Sequence, residues 1–219
     1  MIRLVNLTKT YRMSGVSKTV VRNATLTFPS RTAVGLLGRN GAGKSTLLKL
    51  IAGTQSPTSG RIEIEGSVSW PVGLSGSFHS DLSGAQNCRY VARIYGVDSE
   101  ALIEFARDFA DLGDHFHLPL RTYSSGMRSR LAFGVSMAIP FQTYLVDEVT
   151  AVGDAAFRKK SNEVFRQRMA DSGAIVVNHS MHVIRELCSA VVVLDEGNLT
   201  YFEDVEEGIR WHKQLMDAL

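Results

Sequence analysis

Gly38-Arg39-Asn40-Gly41-Ala42-Gly43-Lys44-Ser45-Thr46 has the form G-x-x-x-x-G-K-[ST]. A phosphate group needs several donors converging in a small space. Glycines supply them by letting backbone N–H groups turn inward, and a helix N-terminus adds the positive end of its dipole. Lys44 brings a mobile positive charge, and the Ser45 hydroxyl suits a Mg²⁺ ion bridging two phosphates. The loop also follows an apolar run, Ala33 to Leu37, and precedes the helix-like Leu47-Leu48-Lys49-Leu50-Ile51-Ala52, so strand, loop and helix fall in the required order. Farther along, Tyr144-Leu145-Val146-Asp147-Glu148 is an apolar run ending in two acids. Asp147 can hold the metal through water, and Glu148 can face an attacking water. Alone, that pattern more often marks a strand meeting a solvated turn; beside a phosphate loop it points to nucleotide hydrolysis. Ser124, Ser125 and Gly126 place two hydroxyls and a bare backbone N–H at the start of an expected helix running to Pro140, which makes a second anion site.

These residues need a scaffold that carries them on strand ends and helix starts. Ala33 to Leu37, Tyr144 to Val146, Ala174 to Val177 and Ala190 to Leu194 are short, continuous apolar runs, as in parallel strands covered on both faces. Asn23 to Phe28 and Arg61 to Glu65 alternate polar and apolar residues, as half-buried antiparallel strands do. Leu102, Phe105, Ala106 and Phe109 recur at helical spacing, with Ser99 expected to cap that helix and Gly113 to stop it. Asp204 is expected to open a terminal helix carrying Ile209, His212 and Leu215. Residues 76–140 read as mostly helical and interrupt the strands. The expected fold class is α/β with an inserted helical subdomain.

The bulk properties exclude several functions. Of 219 residues, 44% are hydrophobic and 21% charged, ordinary proportions for a globular domain. Twenty-four Lys and Arg nearly balance 22 Asp and Glu, so no basic field holds nucleic acid or an anionic membrane by charge alone. Met1 to Thr10 contains no apolar signal region, and the apolar runs are too short to span a bilayer. The chain is therefore expected to be neither secreted nor integral, and any membrane attachment should come through a partner. Cys88 and Cys188 have no zinc-like spacing and read as buried thiols in a reducing cytosol.

Taken in order, these motifs resemble the nucleotide-binding domain of ABC transporters across essentially the whole chain. Tyr11 stands where that family stacks an aromatic on adenine. The phosphate loop (Walker A) follows, then Tyr123-Ser124-Ser125-Gly126-Met127 at the signature position and Asp147-Glu148 at Walker B. Asp154 falls in the D-loop, and His179 is at the switch position. The resemblance implies one domain over 1–219. It has a P-loop NTPase (RecA-like) core with an antiparallel β subdomain, about 1–75 and 141–219, and a helical subdomain of about 76–140. It also implies ATP and Mg²⁺ as cofactors. Residues 38–46, Tyr11 and Asp147 would bind ATP, and Ser45 and Asp147 would hold the metal. Glu148 would be the general base, with Lys44 and His179 steadying the transferred phosphoryl group. Ser124, Ser125, Gly126 and Asp154 would act in trans, across a homodimer enclosing two ATP.

Three departures narrow the resemblance: YSSGM at the signature, VGD in the D-loop region, and no Q-loop glutamine where Trp70 to Phe78 stand. Gln86 lies nearby, but in the later segment Leu82 to Asn87. SWPVGLSGSF, YSSGMRSRLAFG and DEVTAVGD are similar to the ATPases of Gram-negative capsular polysaccharide exporters, which are relatives of the O-antigen and teichoic acid exporters. That implies a peripheral subunit on the cytoplasmic face of the inner membrane, attached to a permease in two copies. No direct glycan contact is expected, because the chain stops at Leu219 without room for a glycan-reading domain. Trp70 to about Arg93, with Phe78, His79 and Tyr90, is the candidate surface for the permease; packing within the subdomain is the alternative. Other substrates (O-antigen, teichoic acid, a drug), a soluble ABC ATPase acting on nucleic acid, and a small-molecule kinase are the competing functions.

Overall fold

The structure is a computed structural model that describes the chain apart from residues 14, 73–77, 148–153 and 218–219. It divides into two compact units. The first comprises Met1–Pro71, Phe141–Glu148 and Met169–Leu219, and the second comprises Val72–Pro140 and Val149–Arg168.

In the first unit, β1 (Ile2–Met13) pairs antiparallel with β2 (Val16–Phe28) and β4 (Ser59–Ile64), giving the order β2-β1-β4. Both segments that alternate in sequence lie in this sheet: Ala24 and Phe28 of β2 are buried between exposed neighbours, whereas in β4 Ile62 is half-buried and Ile64 exposed. The remaining strands are β3 (Ala33–Leu37), β5 (Val68–Pro71), β6 (Thr143–Asp147), β7 (Gly173–Val177), β8 (Ala190–Asp195) and β9 (Asn198–Phe202). Among the described residues they form a sheet in the order β5-β6-β7-β3-β8-β9, parallel except for β9. The four continuous apolar runs are its central strands, and every residue of β7 is buried. Helix α1 (Lys44–Ile51) buries Leu47, Leu48, Leu50 and Ile51 in one core with Leu4 of β1, Leu145 of β6 and Val192 of β8. Each such side chain contributes about 1.5–3 kcal/mol, so the phosphate loop between β3 and α1 is anchored at both ends. Helices α6 (Met181–Leu187) and α7 (Val205–Asp217) are tied by Arg185, which donates to both carboxylate oxygens of Glu206 at 2.5 and 3.1 Å. Asp204 caps α7 as expected, accepting from Glu207 N at 2.7 Å.

The second unit is helical: α2 (Gly84–Tyr95), α3 (Ser99–Ala110), α4 (Ser125–Ala138) and α5 (Ala155–Asp171), of which the last three residues group with the first unit. It takes in 149–168 beyond the expected 76–140. The physical reason is aromatic packing: the Phe109 ring of α3 lies 5.4 Å from Phe133 and 5.2 Å from Phe157 of α5. Lys160 adds bonds to the carbonyls of Asp108 and Phe109. Gly134 lets α3 and α4 approach, since a Cβ there would lie 3.1 Å from Phe109. The expected caps of α3 are each displaced. Asp98 is the N-cap, its carboxylate accepting from Ala101 N at 2.8 Å, so Ser99 is already inside the helix. Asp111, in the left-handed conformation at φ 49°, ends the helix before Gly113, which opens the 3₁₀ turn Gly113–His117. A short Asp side chain serves both positions because it bonds to nearby backbone and tolerates positive φ.

Candidate nucleotide-binding site

Backbone geometry explains the glycines of the loop. Gly38 has φ 152°, and a Cβ there would lie 2.4 Å from the Leu194 carbonyl oxygen; Gly43 has φ 116°, and its Cβ would meet Val20 at 2.9 Å. Any side chain at either position would push the loop off β8 or β2. Gly41, at φ 76°, has open space and is required only by its conformation. Lys44 folds back over the loop, its Nζ donating to the carbonyls of Gly38 at 2.7 Å and Arg39 at 3.0 Å. The Arg39 carbonyl also accepts from Ala42 N at 3.1 Å.

Sheet order brings the other groups to this loop. β6, β7 and β3 are parallel neighbours, so their C-terminal ends share one edge, where ligands bind in open α/β sheets. Asp147 ends β6, paired with Val177 of β7, and His179 follows two residues later. Asp147, His179, Lys44, Ser45, Thr46, Asn40, Gly41, Gly43 and Tyr11 all line one cleft of about 550 Å³, within the range of about 300–1,000 Å³ usual for ligand pockets. Gly38, Arg39 and Ala42 belong to the same loop but are not among the residues lining it. Ser45 and Asp147 offer a hydroxyl and a carboxylate oxygen, the hard donors Mg²⁺ prefers, so the residues present fit that ion. Glu148 lies outside the described residues.

Tyr11 reaches the cleft from β1. Its hydroxyl lies 3.3 Å from Thr46 Oγ1 and bonds to the Gln55 side-chain amide, and the ring is exposed with Lys9 Nζ 5.1 Å from its centroid. Its pKa is lowered from the ordinary phenol value, first by the bond to Thr46, then by Gln55 and the lysines at 9 and 49. Gln55 and Lys18, which also lines the cleft, belong to no motif in the sequence. Only the pairing of Lys18 opposite Tyr11 across the β1–β2 ladder marks it, and that register is a product of folding.

The signature residues occupy the second unit. Ser124 is the N-cap of α4, accepting from Met127 N at 3.2 Å, and Ser125 and Gly126 form the first turn. Ser124, Gly126 and Met127 line a hollow of about 360 Å³ with Asp111, Leu112, His115 and Arg130. Asp154 is engaged within its own chain. One oxygen accepts from Phe157 N at 2.9 Å, capping α5, and the other from Arg130 at 2.7 Å. The Arg130 guanidinium also lies over the Phe157 ring at 4.7 Å. The Phe157 amide bond, then Arg130, lowers the Asp154 pKa.

Gln86 closes a capping box with Ser83, its side chain accepting from Ser83 N at 2.8 Å, so it serves helix α2. Asn87, buried, clamps residues 79–83 through four bonds, to His79 N and to the carbonyls of His79, Leu82 and Ser83. In the candidate partner surface, His79 and Tyr90 are exposed and Phe78 is half-buried, while residues 73–77 lie outside the described residues. Among the described residues, no helix is long and apolar enough to cross a membrane.

Comparison with known proteins gives the family. The ABC transporter family profile matches residues 21–151. The chain is 45% identical to the polysialic acid transport ATP-binding protein KpsT of Escherichia coli, over 99% of this chain and 98% of that protein. It is 40% identical to the ATP-binding protein BexA of Haemophilus influenzae, over 98% and 99%. With the capsule polysaccharide export ATP-binding protein CtrD of Neisseria meningitidis the identity is 38%, over 98% and 100%. Its fold is similar to the ATP-binding cassette MJ0796, solved as a dimer bound to ADP and Pi, at a TM-score of 0.79 and 21% identity over 94% of this chain and 99% of that one. The chain belongs to the ABC transporter family, as an ATPase subunit.

Proposed function

We propose that this protein powers the export of a capsular polysaccharide, as two copies that close around two ATP on the cytoplasmic face of a membrane-embedded permease. The observation that carries the substrate class is whole-length similarity to KpsT, BexA and CtrD, whose names describe polysialic acid transport or capsule polysaccharide export for two of the three. In this reading the polysaccharide meets the permease and not this chain.

In this reading the chain's own groups divide the work. Tyr11 stacks on the adenine, the loop 38–46 wraps the phosphates with its N–H groups, and Lys44 moves from the Gly38 and Arg39 carbonyls to the phosphate oxygens. Ser45 and Asp147 hold Mg²⁺, which when bound offsets charge on the phosphate oxygens. Glu148 takes the proton of the attacking water, and His179 orients that water and the departing phosphate. Ser124, Ser125 and Gly126 of the second copy complete the site with hydroxyl and N–H donors. Asp154 supports them from behind, by holding Arg130 and the start of α5. Gly126 supports the closure in trans: among the described residues of its own subunit a Cβ there would meet only Ser124 Oγ, at 3.9 Å, so none of them requires glycine at this position.

The test is Lys44→Ala in the native cell, with the polysaccharide measured on the surface and in the cytoplasm. Glycan retained inside supports export; normal surface glycan with altered drug resistance would move the protein to another substrate.

A further inference from the structure

We propose that Lys18 is a second nucleotide-binding cation of the cleft, contacting the phosphate chain together with Lys44. The inference rests on the nucleotide-site reading and adds a residue that the phosphate-loop motif does not contain.

The β1–β2 register sets Lys18 directly opposite Tyr11, and directly paired residues project from the same face of the sheet. Both side chains reach the phosphate loop. The Tyr11 hydroxyl approaches Thr46 at the start of α1, and Lys18 Nζ donates to the Gly41 carbonyl at 3.0 Å. Lys18 lines the same cleft as Lys44, Ser45 and Thr46. Its observed partner is a neutral carbonyl, which occupies one of its three N–H donors and leaves two for an anion. The Gly41–Ala42 peptide is held at both ends, its oxygen by Lys18 and its N–H by the Arg39 carbonyl, which Lys44 also holds. Two lysines from different elements thus grip the loop at its tip and its base. Among the described residues lining the cleft, Lys18 and Lys44 face one acidic group, Asp147, so an incoming polyphosphate meets two lysines there. A lysine on a flexible stem can exchange a carbonyl for a phosphate oxygen without moving the backbone, as Lys44 does in the reading above.

The contribution should depend on phosphate and not on the base. Lys18→Met keeps the apolar stem and removes the charge. In the full chain, calorimetric titration with MgADP and MgATP is expected to show binding weakened about ten- to a hundredfold, as for loss of a charge-assisted bond. Lys18→Arg should recover most of it, and the urea midpoint should stay at the wild-type value. Wild-type affinity for both nucleotides in Lys18→Met would overturn the proposal, as would an equal loss of binding for adenosine, which would indicate a distorted loop. Lys44→Ala serves as the control. A wild-type chain that binds neither nucleotide would overturn the site reading itself, whereas a wild-type chain that binds while Lys18→Met binds equally well overturns the role of Lys18 alone.

Discussion

At the scale of residues, Gly126 separates stability from activity. It sits in the first turn of α4 with ordinary helical backbone, and among the described residues a methyl group there meets only Ser124 Oγ at 3.9 Å. Gly126→Ala should leave the fold intact and stabilise it by about 0.5–1 kcal/mol through helix propensity. If a phosphate from another copy must approach that backbone, the same methyl group should lower ATP turnover at least tenfold. Thermal melts and ATPase assays on one preparation check both halves, and full activity would remove Gly126 from the site. The phosphate-loop residues were legible in sequence because their chemistry is local: glycines at fixed offsets, then Lys and Ser. Lys18, Gln55, Asn87 and Arg130 were not, since each acts through a partner brought near by folding, as when Asn87 reaches back over residues 79–83.

At the scale of elements, the helices bury two thiols that chemistry leaves inert. Cys88 on α2 and Cys188 after α6 are both pushed up to about 12 by burial. A thiol kept neutral in the fold but ionising near 9.0 when unfolded costs nothing below that pH. Above it the unfolded chain loses protons first, so stability falls as pH rises toward 12, by at most about 1.4 kcal/mol per unit for each thiol. Urea midpoints should therefore drop between pH 8 and pH 10, and less so in Cys88→Ala measured against its own value at pH 8; an identical drop in that variant would contradict the account. Strand types and their burial were readable because periodicity reports which faces are covered. The ends of α3 were not, because Asp98 and Ser99, like Asp111 and Gly113, offer competing caps that only the packed helix chooses between. Nor could sequence distance show that 149–168 joins the helical unit, since that depends on Phe157 meeting Phe109.

At the scale of the whole molecule, each chain carries a phosphate cleft on its strand ends and a separate donor face at the start of α4. The account assigns them to each other only across two copies, which makes hydrolysis a property of the pair. Mixing two inactive variants tests this most directly. Lys44→Ala disables the cleft and Gly126→Asp places a carboxylate where the phosphate should approach, so neither alone should hydrolyse ATP. Combined, they can form pairs holding one intact composite site, and the predicted result is turnover in the mixture well above the sum of the separate proteins. A mixture as inactive as its components, or a Gly126→Asp chain that hydrolyses ATP unaided, would contradict it.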